Sequence, residues 1–223
     1  MQVGNARYRV AAHIPKTVPV FPLPEALLLP GGRMPLNIFE PRYLQMVDNA
    51  LRGDRVVAMV QPALDGGQRE DGEPLLCEVG CLGRIIQFAE TGDGRYLISL
   101  QGICRLRIIE ELTAKTPFRQ CRIAPFVGDL SEDQGAAEID RPALLKAFKD
   151  YLKANDLDAD WESVSRADNA MLVNALSMMA PYGAAEKQAL LEAPDLKTRA
   201  ETLIALTEMA IARDNDGFGS GLQ

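Results

Sequence analysis

Residues 18–43 read VPVFPLPEALLLPGGRMPLNIFEPRY, and their prolines, paired glycines and short apolar runs dictate a specific backbone path. They predict strands at Val18–Phe21, Leu27–Leu29 and Met34–Ile38, separated by a Pro-Leu-Pro corner and a Pro-Gly-Gly turn. Because proline has no amide hydrogen to give to a central ladder, its repetition indicates edge strands and corners of a small, irregular barrel. Pro41 then suits the first turn of a helix that ends near Gly53.

Strand patterns continue to about residue 128. The predicted strands are Arg55–Gln61, Cys77–Ala89, Tyr96–Glu110 and Phe118–Val127, with a mobile loop at residues 66–72 and a tight hairpin at residues 90–95. Residues 102–108 alternate basic and apolar side chains, which predicts one buried face and one solvated face. Arg105 falls on the face that we expect to be solvated.

The second part of the chain is helical. Capping residues and apolar periodicity predict helices from Asp140, over Asp168–Met179, over Ala184–Glu192, and from Asp195 to about Arg213. In the helix at 168–179, the inward face is expected to include Met171, Leu172, Ala175, Leu176 and Met179. Residues 155–160 form an acidic loop, and residues 214–223 are predicted to be a frayed, flexible tail.

Several of these segments carry a family resemblance. Leu36–Tyr43 (LNIFEPRY) is similar to the strand-to-helix junction of free-standing bacterial members of the Lon protease amino-terminal (substrate-binding) domain family. Residues 93–96 and 102–108 also resemble the pattern of that family. The resemblance covers about Val18 to Arg213 and implies an α+β fold, a PUA-like β-barrel (pseudobarrel) followed by a C-terminal helical bundle subdomain. Asn37 stands where many relatives have histidine, so no role of a ring nitrogen is transferred.

Charge divides the chain at the same place as the pattern. Residues 1–128 contain 15 Lys+Arg and 13 Asp+Glu, a balance of +2, whereas residues 129–223 contain 9 and 18, a balance of −9. We therefore expect an N-terminal leader at 1–17, the β unit at 18–128, the helical subdomain at 129–213 and the tail at 214–223. The absence of a long apolar run or a signal sequence predicts a cytoplasmic protein with no membrane contact.

The sequence also bears on catalysis and metal binding. It contains no Gly-x-x-x-x-Gly-Lys-Ser/Thr phosphate loop, and its serines lie outside any nucleophile elbow. The ATPase and serine-lysine protease parts of Lon are therefore not expected, and neither is enzymatic activity. Cys77 and Cys81 would lie about 13 Å apart on a strand, too far for a disulfide. Without a second close pair or a nearby histidine, we expect structural thiols, no metal and no cofactor.

What remains is a binding function. The resemblance implies recognition of unfolded or degron-bearing polypeptide. From the residue types we expect Leu23, Phe39 and Tyr43 to supply apolar contacts, and Arg42 and Arg105 to anchor carboxylates or a peptide terminus. Each residue also has a structural interpretation. Phe39 and Tyr43 suit the core, and Arg42 can pair with Glu40 or with Asp48.

Two alternatives belong to other classes. PUA-type barrels in other proteins bind RNA, and the β unit is locally basic through Arg84, Arg95, Arg105, Arg107, Arg119 and Arg122. The net charge of −7 makes nucleic acid an unfavourable partner. The acidic helices could instead dock on a protease or chaperone, for which the methionines at 171, 178, 179 and 209 would form an adaptable surface unless they pack in the helical core.

Overall fold

The computed structural model describes residues 1–131 and 136–219, with side chains described as far as Arg213. The described residues form eight strands and six α-helices. The strands are β1 (Gln2–Val3), β2 (Ala6–Arg7), β3 (Thr17–Pro22), β4 (Arg33–Ile38), β5 (Val56–Val60), β6 (Val79–Glu90), β7 (Tyr96–Leu112) and β8 (Arg119–Pro125). The helices are α1 (Pro41–Arg52), α2 (Arg141–Ala154), α3 (Trp161–Arg166), α4 (Asn169–Met179), α5 (Ala184–Glu192) and α6 (Leu196–Gly219).

The main sheet has six strands in the order β4-β7-β6-β5-β3-β8, and β7 also pairs with β8. The β3–β5 pair is parallel and the other pairs are antiparallel. The pairings β7–β6–β5–β3–β8 therefore return to β7, which is possible because this strand is 17 residues long. One edge of β7 pairs with β6, and the other edge pairs with β4 at residues 96–101 and with β8 at residues 106–112. The predicted α+β class is confirmed.

The sequence predicted that the prolines of β3 mark an edge strand, and this prediction is wrong. β3 lies between β5 and β8, but Pro19 is paired only with Gln120 of β8 and Pro22 only with Val60 of β5. Each proline thus has a single neighbouring strand at its own register, where its missing amide hydrogen can be accommodated. β4, which contains Pro35, pairs only with β7 among the described residues and is an edge strand as predicted.

The predicted strand at Leu27–Leu29 is wrong. These leucines are almost fully buried, but their backbone is irregular and meets β7 through an isolated parallel bridge between Pro30 and Gly102. A Cβ atom added to Gly102 would lie 2.1 Å from the carbonyl oxygen of Leu29. The apolar run is therefore explained by burial where this segment approaches the backbone of β7 closely.

Two clusters of buried side chains stabilise the molecule, and β5 separates them. Val56, Ala58 and Val60 belong to one cluster, while Val57 and Met59 belong to the other. The cluster with Val57 and Met59 also contains buried residues of α1, α2, α4, α5 and α6, so the sheet and the helices share one apolar interface. Successive residues of β5 point to opposite faces, and both faces are covered.

The first residues of the chain form more than the leader that the sequence indicated. β1 and β2 pair as a hairpin, and Val3, Tyr8 and Ile14 are buried in the cluster that contains Val56. The terminal amino group of Met1 donates a hydrogen bond to the carbonyl oxygen of Leu130 at 2.9 Å. This segment therefore packs against the sheet.

The helices begin close to the predicted positions, with two differences. α3 was not predicted; it begins at Trp161 and is capped by Asp160, whose carboxylate accepts hydrogen bonds from the amides of Glu162 and Ser163. α6 continues to Gly219, past the predicted end near Arg213, since no proline interrupts its amide ladder. The last part of the predicted tail, residues 220–223, lies outside the described residues. None of the helices in the described parts of the chain combines the length and apolar character needed to cross a bilayer.

Candidate functional site: a charged cleft and an apolar groove

Helix α1 places Arg42 and Tyr43 beside the end of β3. The rings of Tyr43 and Phe21 have centroids 4.4 Å apart, and the guanidinium carbon of Arg42 lies 4.6 Å from the centroid of the Tyr43 ring. Burial raises the pKa of the Tyr43 hydroxyl, so this side chain is neutral at physiological pH. The structural interpretation of Tyr43 as a core residue is confirmed, and its ring supports the guanidinium above it.

Arg42 itself pairs with two carboxylates. Its Nε lies 3.0 Å from Glu40, as the sequence suggested, and its Nη1 lies 2.8 Å from Glu73, which is 31 residues away. Asp48, the other predicted partner, accepts a hydrogen bond from the hydroxyl of Tyr96. A local pattern identified the near partner, but only the fold brings Glu73 to Arg42.

A cleft of about 450 Å³ opens at this end of α1, between the loop that precedes β6 and the loop that joins β7 to β8. Its lining includes Pro22, Arg42, Tyr43, Arg69, Glu111 and Arg119. Glu111 accepts a bidentate pair from Arg119, with oxygen to nitrogen distances of 2.6 and 2.7 Å, and a further hydrogen bond from Arg69. The cations that line the cleft are therefore already neutralised by carboxylates of the same chain.

Leu23 and Phe39 lie outside the lining of this cleft. Leu23 is half-buried against the shared apolar interface, and its amide donates to the carbonyl of Val60 at 3.0 Å. Phe39 is 62% exposed, so the interpretation of this residue as part of the core is wrong. Its place between the edge strand β4 and helix α1 leaves the ring in solvent.

Arg105 is separated from the other predicted binding residues and is only 5% exposed, so the predicted solvated face is wrong at this position. Its guanidinium makes bonds of 2.8 and 2.9 Å to the two carboxylate oxygens of Asp129, and the backbone amide of Arg105 also donates to Asp129 at 2.8 Å. It further donates to the carbonyls of Leu191, Ala193 and Pro194 at the end of α5. The strand pattern failed because the helices cover this part of β7.

The arginines that suggested an RNA surface are all engaged within the chain. Arg84 donates to the carbonyl of Asp54 at 2.6 Å. The other five each pair with an acidic side chain: Arg95 with Asp93, Arg105 with Asp129, Arg107 with Glu78, Arg119 with Glu111 and Arg122 with Glu110. Since phosphate binding relies on clustered positive charge, this arrangement does not favour a nucleic-acid interface.

An apolar groove of about 620 Å³ lies between helices α2, α3, α4 and α6. Its lining includes Leu144, Phe148, Met171, Leu176, Met179 and Leu203. Leu144 and Leu203 are buried at its base, whereas Met171 and Met179 are 61% and 79% exposed. The groove therefore presents flexible apolar side chains to solvent above a closed apolar floor.

The exposure of these methionines contradicts their predicted inward position. α4 buries Leu172 and Leu176 as predicted, but it also buries Asn174 and Ser177. The amide of Asn174 donates to the carbonyl of Pro30 at 3.0 Å, and its oxygen accepts from Arg199 at 3.1 Å. The period of apolar residues located the buried face only in part, because it does not include the polar contacts that Asn174 makes with Pro30 and with Arg199 of α6.

The thiols show no sign of a metal site. All four cysteines are free, and Cys81, Cys104 and Cys121 are buried. Burial raises the pKa of Cys104 to about 12 and that of Cys121 to about 11. Within residues 1–131 and 136–219, no three His, Cys, Asp or Glu side chains are grouped so that they could hold a metal ion.

The mixed sheet, its covering helices and these two open surfaces define an α+β domain with a charged cleft and an apolar groove. The family model of the ATP-dependent protease La (LON) substrate-binding domain matches residues 17–208, and the chain belongs to this family. Lon protease 2 of Myxococcus xanthus is 25% identical over 201 residues, and the Lon protease of Parabacteroides distasonis is 30% identical over 201 residues. These alignments cover 86% and 84% of this chain but 24% and 23% of the two proteases, so the chain spans about a quarter of their length.

Solved structures agree on the fold. The N-terminal domain of the Mycobacterium avium complex Lon protease superposes with a TM-score of 0.64 at 19% identity, covering 86% of this chain and 98% of that domain. A Lon N-terminal domain protein from Xanthomonas campestris gives a TM-score of 0.61 at 23% identity, covering 85% and 97%. The likeness therefore extends over almost the whole of both domains.

Proposed function

We propose that this chain is a non-catalytic polypeptide-binding module, which recognises unfolded or degron-bearing segments in protein quality control and acts with a protease or chaperone. We also propose that the ring of pairings through β7, β6, β5, β3 and β8 is a PUA-like pseudobarrel, with the helices after residue 128 as a subdomain. The apolar groove beside α4 carries the functional proposal. The family supports it, since its model describes a substrate-binding domain.

An exposed apolar groove distinguishes unfolded polypeptide from folded protein. Folded proteins bury most of their large apolar side chains, whereas unfolded segments expose them. A contiguous apolar surface with exposed methionines gains free energy by removing such side chains from water. Because methionine is unbranched and flexible, Met171 and Met179 can adapt to side chains of different shape.

The surface near the start of α1 supplies a second contact in this proposal. Phe39 offers an exposed ring, and Leu23 offers the exposed side of a half-buried side chain. Arg42 can exchange its ion pair with Glu40 for one with a carboxylate of the bound chain. Tyr43 holds Arg42 from below. Arg105 has a different role here, because its contacts to Asp129 and to the end of α5 join the sheet to the helices.

The test compares one polypeptide in two states. A reduced and alkylated protein that cannot fold is labelled with a fluorophore, and its binding is measured by anisotropy beside that of the same protein in its native, disulfide-bonded form. We expect the unfolded form to bind at tens of micromolar and the native form to bind much more weakly. Equal binding of the two forms, or no binding of either, would contradict the proposal.

A substitution locates the second contact. Phe39→Ala is expected to weaken binding of the unfolded polypeptide, because it removes an exposed aromatic ring. Ile109→Ala is the matched control, since Ile109 is also an exposed apolar residue but lies on β7. If both substitutions change the affinity by the same factor, the surface near α1 has no specific role.

A further inference from the structure

The apolar groove beside α4 has an acidic margin. Asp158 and Asp160 are among its lining residues, and no lysine or arginine is among them in the described part of the chain. Asp160 accepts hydrogen bonds from Ser163 and from two backbone amides, which lowers the pKa of its carboxyl group and keeps it charged. The groove thus combines an apolar floor with fixed negative charge at its rim.

The acidic character extends along the segment that borders the groove. Residues 155–168 contain five acidic side chains, at positions 156, 158, 160, 162 and 168, against one basic side chain, Arg166. Arg166 is already paired with Glu162, four residues earlier in the same helix. The net charge of this segment is therefore −4, and the remaining four carboxylates have no basic partner within the segment.

We propose that this groove selects polypeptide segments whose apolar side chains are flanked by lysine or arginine. The inference rests on the proposed polypeptide-binding function and adds to it a site and a class of ligand. Apolar side chains of the ligand enter between Phe148, Met171 and Met179, while flanking cations meet the carboxylates at the rim. The apolar contact supplies most of the affinity, and the charges discriminate between ligands of equal hydrophobicity.

The molecule carries its own reporter for this site. Trp161 is the single tryptophan of the chain and begins α3. Its ring centroid lies 6.0 Å from that of Phe148, which lines the groove, and 5.5 Å from the amino group of Lys149. A ligand that enters the groove therefore changes the surroundings of the only indole, and the emission of Trp161 shifts.

The experiment uses two unfolded peptides without tryptophan that share one apolar core and differ only in their flanks, Lys/Arg in one and Asp/Glu in the other. Binding to the full chain is measured by Trp161 emission and by anisotropy of the labelled peptides. We expect the basic peptide to bind at least about ten-fold more tightly at low salt, with the difference shrinking as salt screens the rim. Equal affinities, or tighter binding of the acidic peptide, would overturn the inference.

Substitutions at the exposed rim separate the groove from the rest of the surface. Met171→Gln combined with Met179→Gln is expected to weaken binding of the basic peptide by at least about ten-fold, because it removes two apolar contacts while the buried residues at the base of the groove stay in place. Met209→Gln is the matched control, since Met209 is exposed on α6 but does not line the groove. Asp156→Asn with Asp158→Asn is expected to lower the affinity for the basic peptide by about three-fold and to leave the affinity for the acidic peptide unchanged.

Each result has a distinct meaning. If unfolded protein binds but the methionine pair and the peptide flanks have no effect, the proposed function survives and the groove inference fails. If neither unfolded protein nor peptide binds, both fail. If the methionine pair changes only the sedimentation of the free protein, the groove is covered by a second copy of the chain, which also overturns the inference.

Discussion

Replacing Asp129 by asparagine is expected to destabilise the protein far more than its position in the short 3₁₀ helix after β8 implies. Asp129 is itself buried, and the substitution leaves the guanidinium of Arg105, which is only 5% exposed, without its bidentate carboxylate. The remaining partners of this guanidinium are the carbonyls at the end of α5, which carry no full charge. Asp129→Asn therefore creates a buried cation whose counter-charge is missing.

The expected magnitude follows from burial. Removing one partner of a buried ion pair costs about 3–5 kcal/mol of unfolding free energy. For a chain of this size each kcal/mol lowers Tm by about 2–4 °C, so the midpoint should fall by about 6–20 °C. A second variant, Asp129→Leu with Arg105→Met, is expected to recover part of the loss, because an apolar pair of similar volume needs no counter-charge. The recovery is incomplete, since the backbone amide of residue 105 loses its carboxylate acceptor.

Unfolding in urea, followed by Trp161 emission and by circular dichroism, measures these differences. The matched control is Glu78→Gln, because Glu78 pairs at 2.8 Å with Arg107, two residues further along β7, but both side chains are about half exposed or more. An exposed pair of this kind contributes about 0–1 kcal/mol. If Asp129→Asn costs no more than Glu78→Gln, the buried pair does not join the sheet to the helices as described.

Two further predictions are tested by unfolding measurements of the same kind. Burial raises the pKa of Cys104 to about 12 and of Cys121 to about 11, so above about pH 9 the unfolded thiols ionise first and the folded state loses stability, by about 1.4 kcal/mol per pH unit for each thiol. Urea titrations from neutral to alkaline pH should show this slope, and Cys104→Ala with Cys121→Ala should reduce it, while Cys81, whose pKa is also raised by burial, keeps its contribution. An unchanged slope would contradict the assignment. Gly102→Ala places a Cβ atom 2.1 Å from the carbonyl oxygen of Leu29 and should cost at least about 1–3 kcal/mol, while Gly128→Ala, where the added Cβ meets no atom within 4 Å, should be close to neutral in the same thermal unfolding assay.

Much of the fold could be predicted from local signals. The helix after Pro41 and the long strands around the Asp93-Gly94 hairpin were predicted within a few residues, because proline position, glycine turns and strong periodicity act over short stretches. The strand prediction for the leucines at 27–29 failed, since an apolar run alone does not distinguish a paired strand from a buried irregular segment. The close approach of this segment to β7 depends on Gly102, which lies more than 70 residues away in the sequence.

The candidate site was predictable only in part. The pairing of Arg42 with Glu40 follows from their proximity in sequence, but its pairing with Glu73 depends on the tertiary fold. Asn174 turns α4 so that Met179 faces solvent, through a bond to the carbonyl of Pro30, 144 residues away. Surfaces made by several elements depend on such distant contacts, which no window of sequence contains.

The pairing of β3 with both β5 and β8 also has a consequence for how the chain folds. Val18 of β3 lies opposite Cys121 of β8, so this ladder joins residues about one hundred positions apart, whereas the β6–β7 hairpin is local. Loop-closure entropy makes such distant pairings slow and local ones fast. During synthesis, β3 therefore lacks one of its two neighbouring strands until β8 has left the ribosome. The apolar residues of β3 are exposed to other chains during that interval.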